Sequence, residues 1–267
     1  MKNKFFTRVL VSTFTGLLAV ILSGCNTVPV TGRSQFNIMS TSQEDQLGLT
    51  SFDQLKKETP ISKDPAANAL VQKVGKRIAA VAGKDMPGAQ WEFVVFDSKE
   101  ANAFCLPGGK VGVYTGILPI TKDEAGLATV IGHEVGHAVA RHGGERMTEA
   151  TLLQTGSQLL GATMANSDPR MQAAASVAYG LTSQVGVALP HSRAQESEAD
   201  HIGLIYMAEA GYDPRQAVAF WQRFADYNKQ QGSDTAAFLR THPTDATRIQ
   251  QLQAWMPEAL AKYHPTQ

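Results

Sequence analysis

The stretch VIGHEVGHAVARHGGE, residues 130–145, places His133 and His137 four residues apart, with Glu134 directly after the first histidine. In a helix, side chains at positions i and i+4 lie on one face, so both imidazoles can reach the same metal ion. Glu134 points to a neighbouring angle and can hold a water at that metal without being a ligand. This is the H-E-x-x-H pattern of zinc peptidases. The spacing therefore predicts a Zn²⁺ site with His133 and His137 as ligands and Glu134 as general base.

A catalytic zinc site also needs a third protein ligand and an open position for water. The metzincin pattern would supply a histidine at position 143 after a glycine at position 140, but the chain has Gly143 and Ala140 there. The additional histidine, His142, comes one residue early. We interpret it as a residue at the end of the H-E-x-x-H helix, near the negative end of the helix dipole. The third ligand must come from another segment.

A later predicted helix, SRAQESEADHIG at residues 192–203, offers that ligand. Glu196 and Asp200 are four residues apart and share a face. Glu196 can bind zinc, and Asp200 can accept the second ring N–H of a ligand histidine, which fixes its tautomer. Glu198 is the competing ligand, but it lies about 200° round the helix from Glu196, and Ile202 rather than an acid follows it four residues later. The pattern favours Glu196.

Together, HEVGHAVARH and SRAQESEAD resemble the HtpX and BepA group of gluzincin metallopeptidases, which also includes the CAAX prenyl proteases. The resemblance extends to NAFCLPGGKVGVYTGIL before the helix and THPTDATRI near the end, and it covers residues 40–255. It implies one zinc ion per chain, with His133, His137 and Glu196 as ligands and Glu134 as base.

The same resemblance implies roles for residues outside the two helices. It places Asn102 and the strand that follows, with Ala103 and Phe104, above the zinc, where they would pair with the substrate backbone. It also brings His242 and Arg248 to the site as candidates for stabilising the oxyanion. His242 has two further readings: a fourth ligand that occupies the open position and keeps the enzyme latent, or a helix-capping residue with no catalytic part.

Apolar periodicity predicts the elements that position these residues. Strands are predicted at residues 91–97 and, joined by a Pro-Gly-Gly turn, in two segments of residues 101–118. A glycine pair, Gly143 and Gly144, is predicted to end the H-E-x-x-H helix. The predicted helices cover residues 40–58, 64–83, 123–142, 146–163, 169–189, 192–210, 214–230 and 244–254. The fold class is α+β and predominantly helical: a gluzincin-type metallopeptidase domain with a small sheet and an H-E-x-x-H active-site helix.

The N-terminus has the organisation of an export signal. MKNKFFTR is a short cationic start, and the apolar run at residues 9–22 is shorter than the roughly 20 residues of a membrane-spanning helix. LSGC, residues 22–25, resembles the bacterial lipobox, in which cleavage leaves a lipid-modified cysteine as the first mature residue. An N-terminal anchor helix retained in the mature protein is the alternative. We predict a signal peptide over residues 1–24 and a lipidated Cys25 that tethers the protein to a membrane.

Asn26, rather than an aspartate, follows the lipobox cysteine, and by the sorting rule of bacterial lipoproteins it favours the outer membrane. With this signal the chain resembles most closely the LoiP-type periplasmic lipoproteins of the group. The sequence thus predicts an outer-membrane protein that faces the periplasm. Its segments are the signal at residues 1–24, a leader with little regular structure at residues 25–40 and a metallopeptidase domain at residues 41–267.

Composition and charge limit the classes of partner. Of the 267 residues, 43% are hydrophobic and 18% charged, and 24 basic residues balance 24 acidic ones. This is a globular composition, and it gives no electrostatic reason for a nucleic-acid partner. We expect protein or peptide substrates, contact with a membrane through the lipid anchor, an envelope protein partner and no nucleic acid.

Two functions fit these features. The first is a zinc-dependent endopeptidase that hydrolyses periplasmic or outer-membrane proteins in envelope protein quality control. The second is a zinc-stabilised assembly or chaperone factor with little proteolysis. Glu134 favours the first, because a structural zinc needs no base and usually has four protein ligands.

Overall fold

The computed structural model describes residues 25–184, 189–231, 238, 242 and 247–265. The predicted signal peptide, residues 1–24, lies outside the described residues. The strands are β1 Cys25–Thr27, β2 Ser34–Phe36, β3 Glu92–Phe96, β4 Ala103–Leu106 and β5 Lys110–Tyr114. The helices are α1 Thr41–Glu58, α2 Pro65–Ala82, α3 Leu118–Thr121, α4 Glu124–Val139, α5 His142–Thr163, α6 Pro169–Ser183, α7 Leu189–Glu209, α8 Arg215–Gln231 and α9 Arg248–Lys262.

The strands form two small sheets. β1 and β2 pair antiparallel as a hairpin. In the other sheet β5 is central, parallel to β3 and antiparallel to β4, so β4 is an edge strand among the described residues. Three strands beside a largely helical chain confirm the α+β, predominantly helical fold class. They also confirm the predicted strands on both sides of the Pro-Gly-Gly turn.

The active-site helix α4 lies at the centre of the core. Asp123 caps its N-terminus, where the side chain accepts a hydrogen bond from Gly126 N at 2.9 Å. Every residue from Gly126 to Val139 is buried, because α2, α7, α8 and β4 all pack against this helix. A helix covered on all sides must be apolar all round except where its polar side chains meet each other.

Glycines let α4 and α7 approach until their backbones touch. A Cβ atom on Gly203 would lie 2.7 Å from the carbonyl carbon of Gly132 and from His133 N. A Cβ on Gly132 would lie 2.8 Å from Gly203 O, and one on Gly136 would lie 2.8 Å from Ala199 O. This close crossing brings the histidines of α4 within reach of the carboxylates of α7.

The end of α4 differs from the prediction that Gly143 and Gly144 stop it. The helix ends at Val139, Arg141 adopts a left-handed conformation with φ 55°, and the glycine pair lies in the first turn of α5. Hydrogen bonds hold Arg141 in this conformation, from its Nε to Glu44 Oε2 at 2.7 Å and from Nη2 to Met39 O at 2.6 Å. Tertiary contacts, which the local sequence does not display, therefore set this boundary.

The leader also differs from its prediction, because residues 25–36 form the β1–β2 hairpin instead of a segment with little regular structure. Its strands have three residues each, too short for a period-2 pattern to be recognised. Side chains of the connecting turn bind α5 and α7, since Thr31 and Arg33 both reach Glu198 and Arg33 also reaches Glu145. The hairpin is stabilised by these distant partners.

The remaining helices follow the sequence pattern with shifted ends. α9 continues to Lys262 through Pro257, although a proline inside the pattern favours an earlier end. None of the residues of α6 is buried. No described helix is both long enough and apolar enough to cross a bilayer.

Candidate active site

Donor atoms of three side chains from α4 and α7 converge at one point. His133 Nε2 and His137 Nε2 are 3.1 Å apart. Glu196 Oε1 lies 3.2 Å from His137 Nε2, and Glu196 Oε2 lies 3.4 Å from His133 Nε2. All three side chains are buried. The H-E-x-x-H pair and the glutamate selected from the later helix are thus brought together.

The donor set fits a zinc ion. Zinc bonds of about 2.0–2.2 Å in a tetrahedral site separate neighbouring ligand atoms by roughly 3.3–3.5 Å, close to the separations between the donor atoms of these three side chains. Two imidazole nitrogens and a carboxylate are also a ligand set of catalytic zinc sites. Buried lone pairs that face one another without a cation would repel, so their convergence indicates a metal site.

His133 is oriented from behind by a carboxylate. Its Nδ1 lies 2.9 Å from Asp200 Oδ1. Arg248 holds Asp200 in turn, donating from Nε at 2.5 Å and from Nη2 at 2.8 Å, while its guanidinium lies 3.5 Å from the ring centroid of Trp221. Asp200 therefore has the position that the E-x-x-x-D spacing predicts. Arg248 reaches the site by holding Asp200.

His137 is oriented by a second imidazole, which the sequence reading missed. His137 Nδ1 lies 2.7 Å from His142 Nδ1, and His142 Nε2 lies 3.0 Å from Glu198 Oε2. His142 begins α5 instead of ending the H-E-x-x-H helix, and it is fully buried. Glu198, which the sequence analysis considered as the alternative zinc ligand, faces away from the convergence point. Its Oε2 accepts a hydrogen bond from Arg33 Nε at 2.7 Å.

Glu134 lies beside the donor cluster without belonging to it. Its Oε1 is 3.5 Å from His242 Nε2 and has no hydrogen-bond partner among the described residues. Burial raises the pKa of Glu134, and electrostatic interactions with His242 and His133 oppose this shift. A buried carboxylate with an unfilled acceptor, next to a metal site, is arranged to hold a water.

His242 comes close enough to be a fourth donor. Its Nδ1 is 3.1 Å from both carboxylate oxygens of Glu196 and 3.2 Å from His133 Nε2. One ligand atom from each of His133, His137, Glu196 and His242 lies within 4.8 Å of the others. The Phe238 ring packs against the His242 ring at a centroid distance of 4.5 Å and a tilt of 35°. Phe238 also donates its backbone N–H to Ala101 O, next to β4.

The edge strand β4 packs against α4 near the base. Ala103 is buried and Phe104 half-buried, and Asn102 Oδ1 accepts a hydrogen bond from Ala103 N at 3.0 Å. Burial, and to a smaller extent the Glu134 carboxylate, raise the pKa of the Cys105 thiol. The segment expected to bind substrate therefore packs against the helix that carries Glu134.

Charge in the cluster favours a cation at the convergence point. Burial opposes protonation of His133, but the hydrogen bonds with Asp200 and Glu196 outweigh it and raise the pKa of His133 to about 9. Burial would raise the pKa of Glu196, yet its hydrogen bonds with the histidines hold it far below the ordinary value. Burial keeps the pKa of His137 well below its ordinary value. The carboxylates thus favour positive charge at the convergence point, which a bound Zn²⁺ would supply.

Among curated proteins, several metalloendopeptidases align with almost the whole chain. The mitochondrial metalloendopeptidase OMA1 of Schizosaccharomyces pombe is 36% identical over 248 residues, covering 90% of this chain and 70% of that protein. The protein of the same name in Saccharomyces cerevisiae is 30% identical over 281 residues, covering 97% and 79%. The beta-barrel assembly-enhancing protease of Escherichia coli is 26% identical over 252 residues, covering 93% and 51%.

The relatives contradict the bacterial outer-membrane location predicted from the sequence, and that prediction is wrong. Those with 30–36% identity, from two yeasts, Arabidopsis thaliana, cattle and human, are named as mitochondrial proteins. The prediction combined the signal and the LSGC lipobox with Asn26, which was taken to favour the outer over the inner membrane. In the structure Asn26 pairs with Gln35 in the hairpin and donates its side-chain amide to Asn37 O. The closeness to LoiP-type lipoproteins stays a prediction.

The family model for peptidase family M48 matches residues 65–256, which include both site helices. M48 peptidases are gluzincins that use zinc, in agreement with the donor set of the site. The chain therefore belongs to peptidase family M48 and is a zinc metalloendopeptidase.

Proposed function

We propose that the endopeptidase cleaves extended segments of protein substrates, with His133, His137 and Glu196 as zinc ligands and Glu134 as general base. The observation that carries this proposal is the buried Glu134 carboxylate, whose Oε1 has no hydrogen-bond partner among the described residues, beside three converging donors. A site that only stabilises the fold would need no such carboxylate.

The residues divide the work of peptide hydrolysis. When bound, zinc lowers the pKa of a water and polarises the scissile carbonyl. Glu134 accepts the proton of the attacking water and passes it to the leaving amine. Its raised pKa suits both steps, because a base that is too weak would not take the proton and one that is too strong would not release it.

The edge strand β4 supports the choice of an extended substrate. A polypeptide can add to an edge strand through main-chain hydrogen bonds, which bind many sequences. We propose that Asn102, Ala103 and Phe104 contact the substrate in this way. Binding by backbone pairing requires an unfolded or loosely folded segment, so unassembled or misfolded proteins are the substrate class.

His242 has the geometry of a fourth ligand. Its Nδ1 lies among the donor atoms, which favours occupation of the open position over stabilisation of the oxyanion. His242 would then keep the resting enzyme latent, since a fourth protein ligand excludes the attacking water. His242→Ala should raise basal cleavage of an unstructured peptide several-fold. Reduced turnover at unchanged zinc affinity would indicate that His242 stabilises the oxyanion. Unchanged turnover and unchanged zinc affinity would indicate that His242 has only a structural role.

Arg248 is proposed as a positioning residue. The sequence offered it as a second donor to the oxyanion, but both of its nearest acceptor contacts are to Asp200, behind His133. Arg248→Gln should therefore weaken zinc binding more than it lowers turnover at saturating zinc.

Within protein quality control we propose that the substrates are unassembled membrane-associated proteins and that a partner protein presents them. The name of the E. coli relative, a protease that enhances assembly, supports this role. A lipidated Cys25 would provide the tether, and Cys25 is exposed at the start of β1. Mass spectrometry of the mature N-terminus tests the anchor: an acylated Cys25, lost in Cys25→Ala, is expected, and an unmodified mature N-terminus would refute it.

The activity itself is tested with casein or an unstructured peptide, before and after a chelator, with zinc or magnesium added back. We expect cleavage to stop with the chelator and to return with zinc alone. A zinc-stabilised chaperone would instead show little cleavage in the zinc-loaded form and would unfold when the metal is removed. Full cleavage by a metal-free protein would contradict the proposal.

A further inference from the structure

The ligand histidine His137 is held through a chain of hydrogen bonds whose direction chemistry fixes. A histidine that binds zinc through Nε2 keeps its hydrogen on Nδ1, so His137 Nδ1 donates to His142 Nδ1, 2.7 Å away. His142 must then carry its own hydrogen on Nε2, which donates to Glu198 Oε2 at 3.0 Å. The chain runs outward from the metal and ends on a carboxylate.

The far end of this chain lies in the N-terminal hairpin. Thr31 Oγ1 donates to Glu198 Oε1 at 2.5 Å, and Arg33 Nε donates to Glu198 Oε2 at 2.7 Å. The other two guanidinium nitrogens of Arg33 donate to both oxygens of Glu145, at 2.8 and 2.9 Å. A guanidinium shared by two buried carboxylates fixes the orientation of each of them.

We propose that the β1–β2 hairpin, residues 25–36, is a positioning element for the metal site and acts on His137 through Arg33, Glu198 and His142. The inference rests on the proposed role of His137 as a zinc ligand. Partners that orient a ligand histidine typically change metal affinity 10–100-fold when removed. By linkage, zinc binding must in turn stabilise the docked hairpin by the same factor.

The test compares two arginine variants of the full chain. Arg33→Gln removes the charged end of the hydrogen-bond chain. Arg77→Gln is the matched control, because Arg77 is also half-buried and also joins two parts of the molecule, donating from Nε and Nη2 of α2 to Ala210 O, just after α7. None of these contacts involves a histidine. A merely structural role for Arg33 predicts equal behaviour of the two variants.

Zinc affinity, measured by competition with a chromophoric chelator, is the main readout. We expect Arg33→Gln to weaken zinc binding about tenfold and Arg77→Gln to leave it within twofold. The visible spectrum of the Co²⁺-substituted protein should shift in Arg33→Gln only. Equal zinc affinities of the two variants, with unshifted Co²⁺ spectra, would overturn the inference.

Three further variants keep the outcome decisive. Glu198→Gln retains an oxygen that accepts from His142 but loses the charge, so it should fall between wild type and Arg33→Gln. Arg33→Lys should recover part of the loss, because it keeps the charge and one donor. His137→Ala separates the two proposals. If His137→Ala leaves zinc affinity unchanged, the proposed ligand set is wrong. If His137→Ala abolishes zinc binding but Arg33→Gln does not weaken it, only the proposed role of the hairpin is wrong.

Discussion

The two histidines proposed as zinc ligands are oriented by two separate chains of hydrogen bonds. The inner arm consists of His133, Asp200 and Arg248, with a carboxylate directly on the ligand. The outer arm consists of His137, His142, Glu198 and Arg33, with a second imidazole between ligand and carboxylate. Each arm ends in a guanidinium, which pairs with the carboxylate behind the histidine. The outer arm is the longer one, because a second imidazole lies between its histidine and its carboxylate.

Burial separates the two arms energetically. The Arg248 side chain is 4% exposed, whereas that of Arg33 is 29% exposed. Removing one partner of a buried ion pair costs about 3–5 kcal/mol because it leaves an uncompensated charge, while water can solvate a partly exposed partner. We therefore expect damage to the inner arm to exceed damage to the outer arm.

The largest effect is expected where both arms depend on one contact, the crossing of α4 and α7. Gly203→Ala would push a Cβ atom into the backbone of Gly132 and His133. Separating the helices should destabilise the fold by about 3 kcal/mol and abolish stoichiometric zinc binding. Denaturant unfolding and metal analysis measure these effects.

Gly143→Ala is the matched control for that substitution. A Cβ atom on Gly143 would meet nothing within 4 Å, and the residue lies in α5. Alanine there should stabilise the protein by about 0.5 kcal/mol, since it restricts the unfolded chain. If Gly203→Ala behaved like Gly143→Ala, the close crossing would not be what assembles the site.

The next effect concerns the inner arm alone. Asp200→Asn removes the charge that both His133 and Arg248 contact, so zinc should bind up to about 100-fold more weakly, with a loss of stability of about 3 kcal/mol. Asp226→Asn is the control, because its partner Lys229 is also exposed and the pair should contribute less than about 0.5 kcal/mol. Similar zinc affinities of the two variants would exclude a role for Asp200 in orienting His133.

The smallest effect is a coupling energy. Arg33→Gln and Glu198→Gln act on one hydrogen-bond chain, so their effects on zinc-binding free energy should be non-additive, by about 1 kcal/mol. Arg33→Gln and Asp200→Asn lie on different arms and should add within about 0.5 kcal/mol. A coupling across the arms as large as that within the outer arm would contradict their separation.

The inner arm was largely predictable from the sequence and the outer arm was not. His133, Glu196 and Asp200 follow from i, i+4 spacing within two helices, a periodicity that any helix displays. Arg33 and Glu198 are 165 residues apart in the chain, and no local pattern connects them. The same holds for His142, which looked like a helix end because the left-handed Arg141 that separates α4 from α5 depends on Glu44 and Met39.

The secondary structure also divides into elements that could be predicted from the sequence and elements that could not. Helices and strands with clear periodicity, such as α1, α2 and β3, lie where they were predicted. The β1–β2 hairpin was interpreted as a leader with little regular structure, because its strands have three residues each and the contacts of its turn with α5 and α7 are distant in the sequence. Arg248 could be assigned to the site only through a family resemblance, and its contact with Asp200 required the structure.

The central claim is that Glu134 performs the chemistry while His133, His137 and Glu196 hold the metal. Glu134→Gln tests it most directly, with cleavage of an unstructured peptide and zinc content measured on the same preparation. The account predicts loss of hydrolysis by at least about 100-fold with zinc still near one ion per chain. Undiminished cleavage, or loss of zinc together with activity, would contradict it.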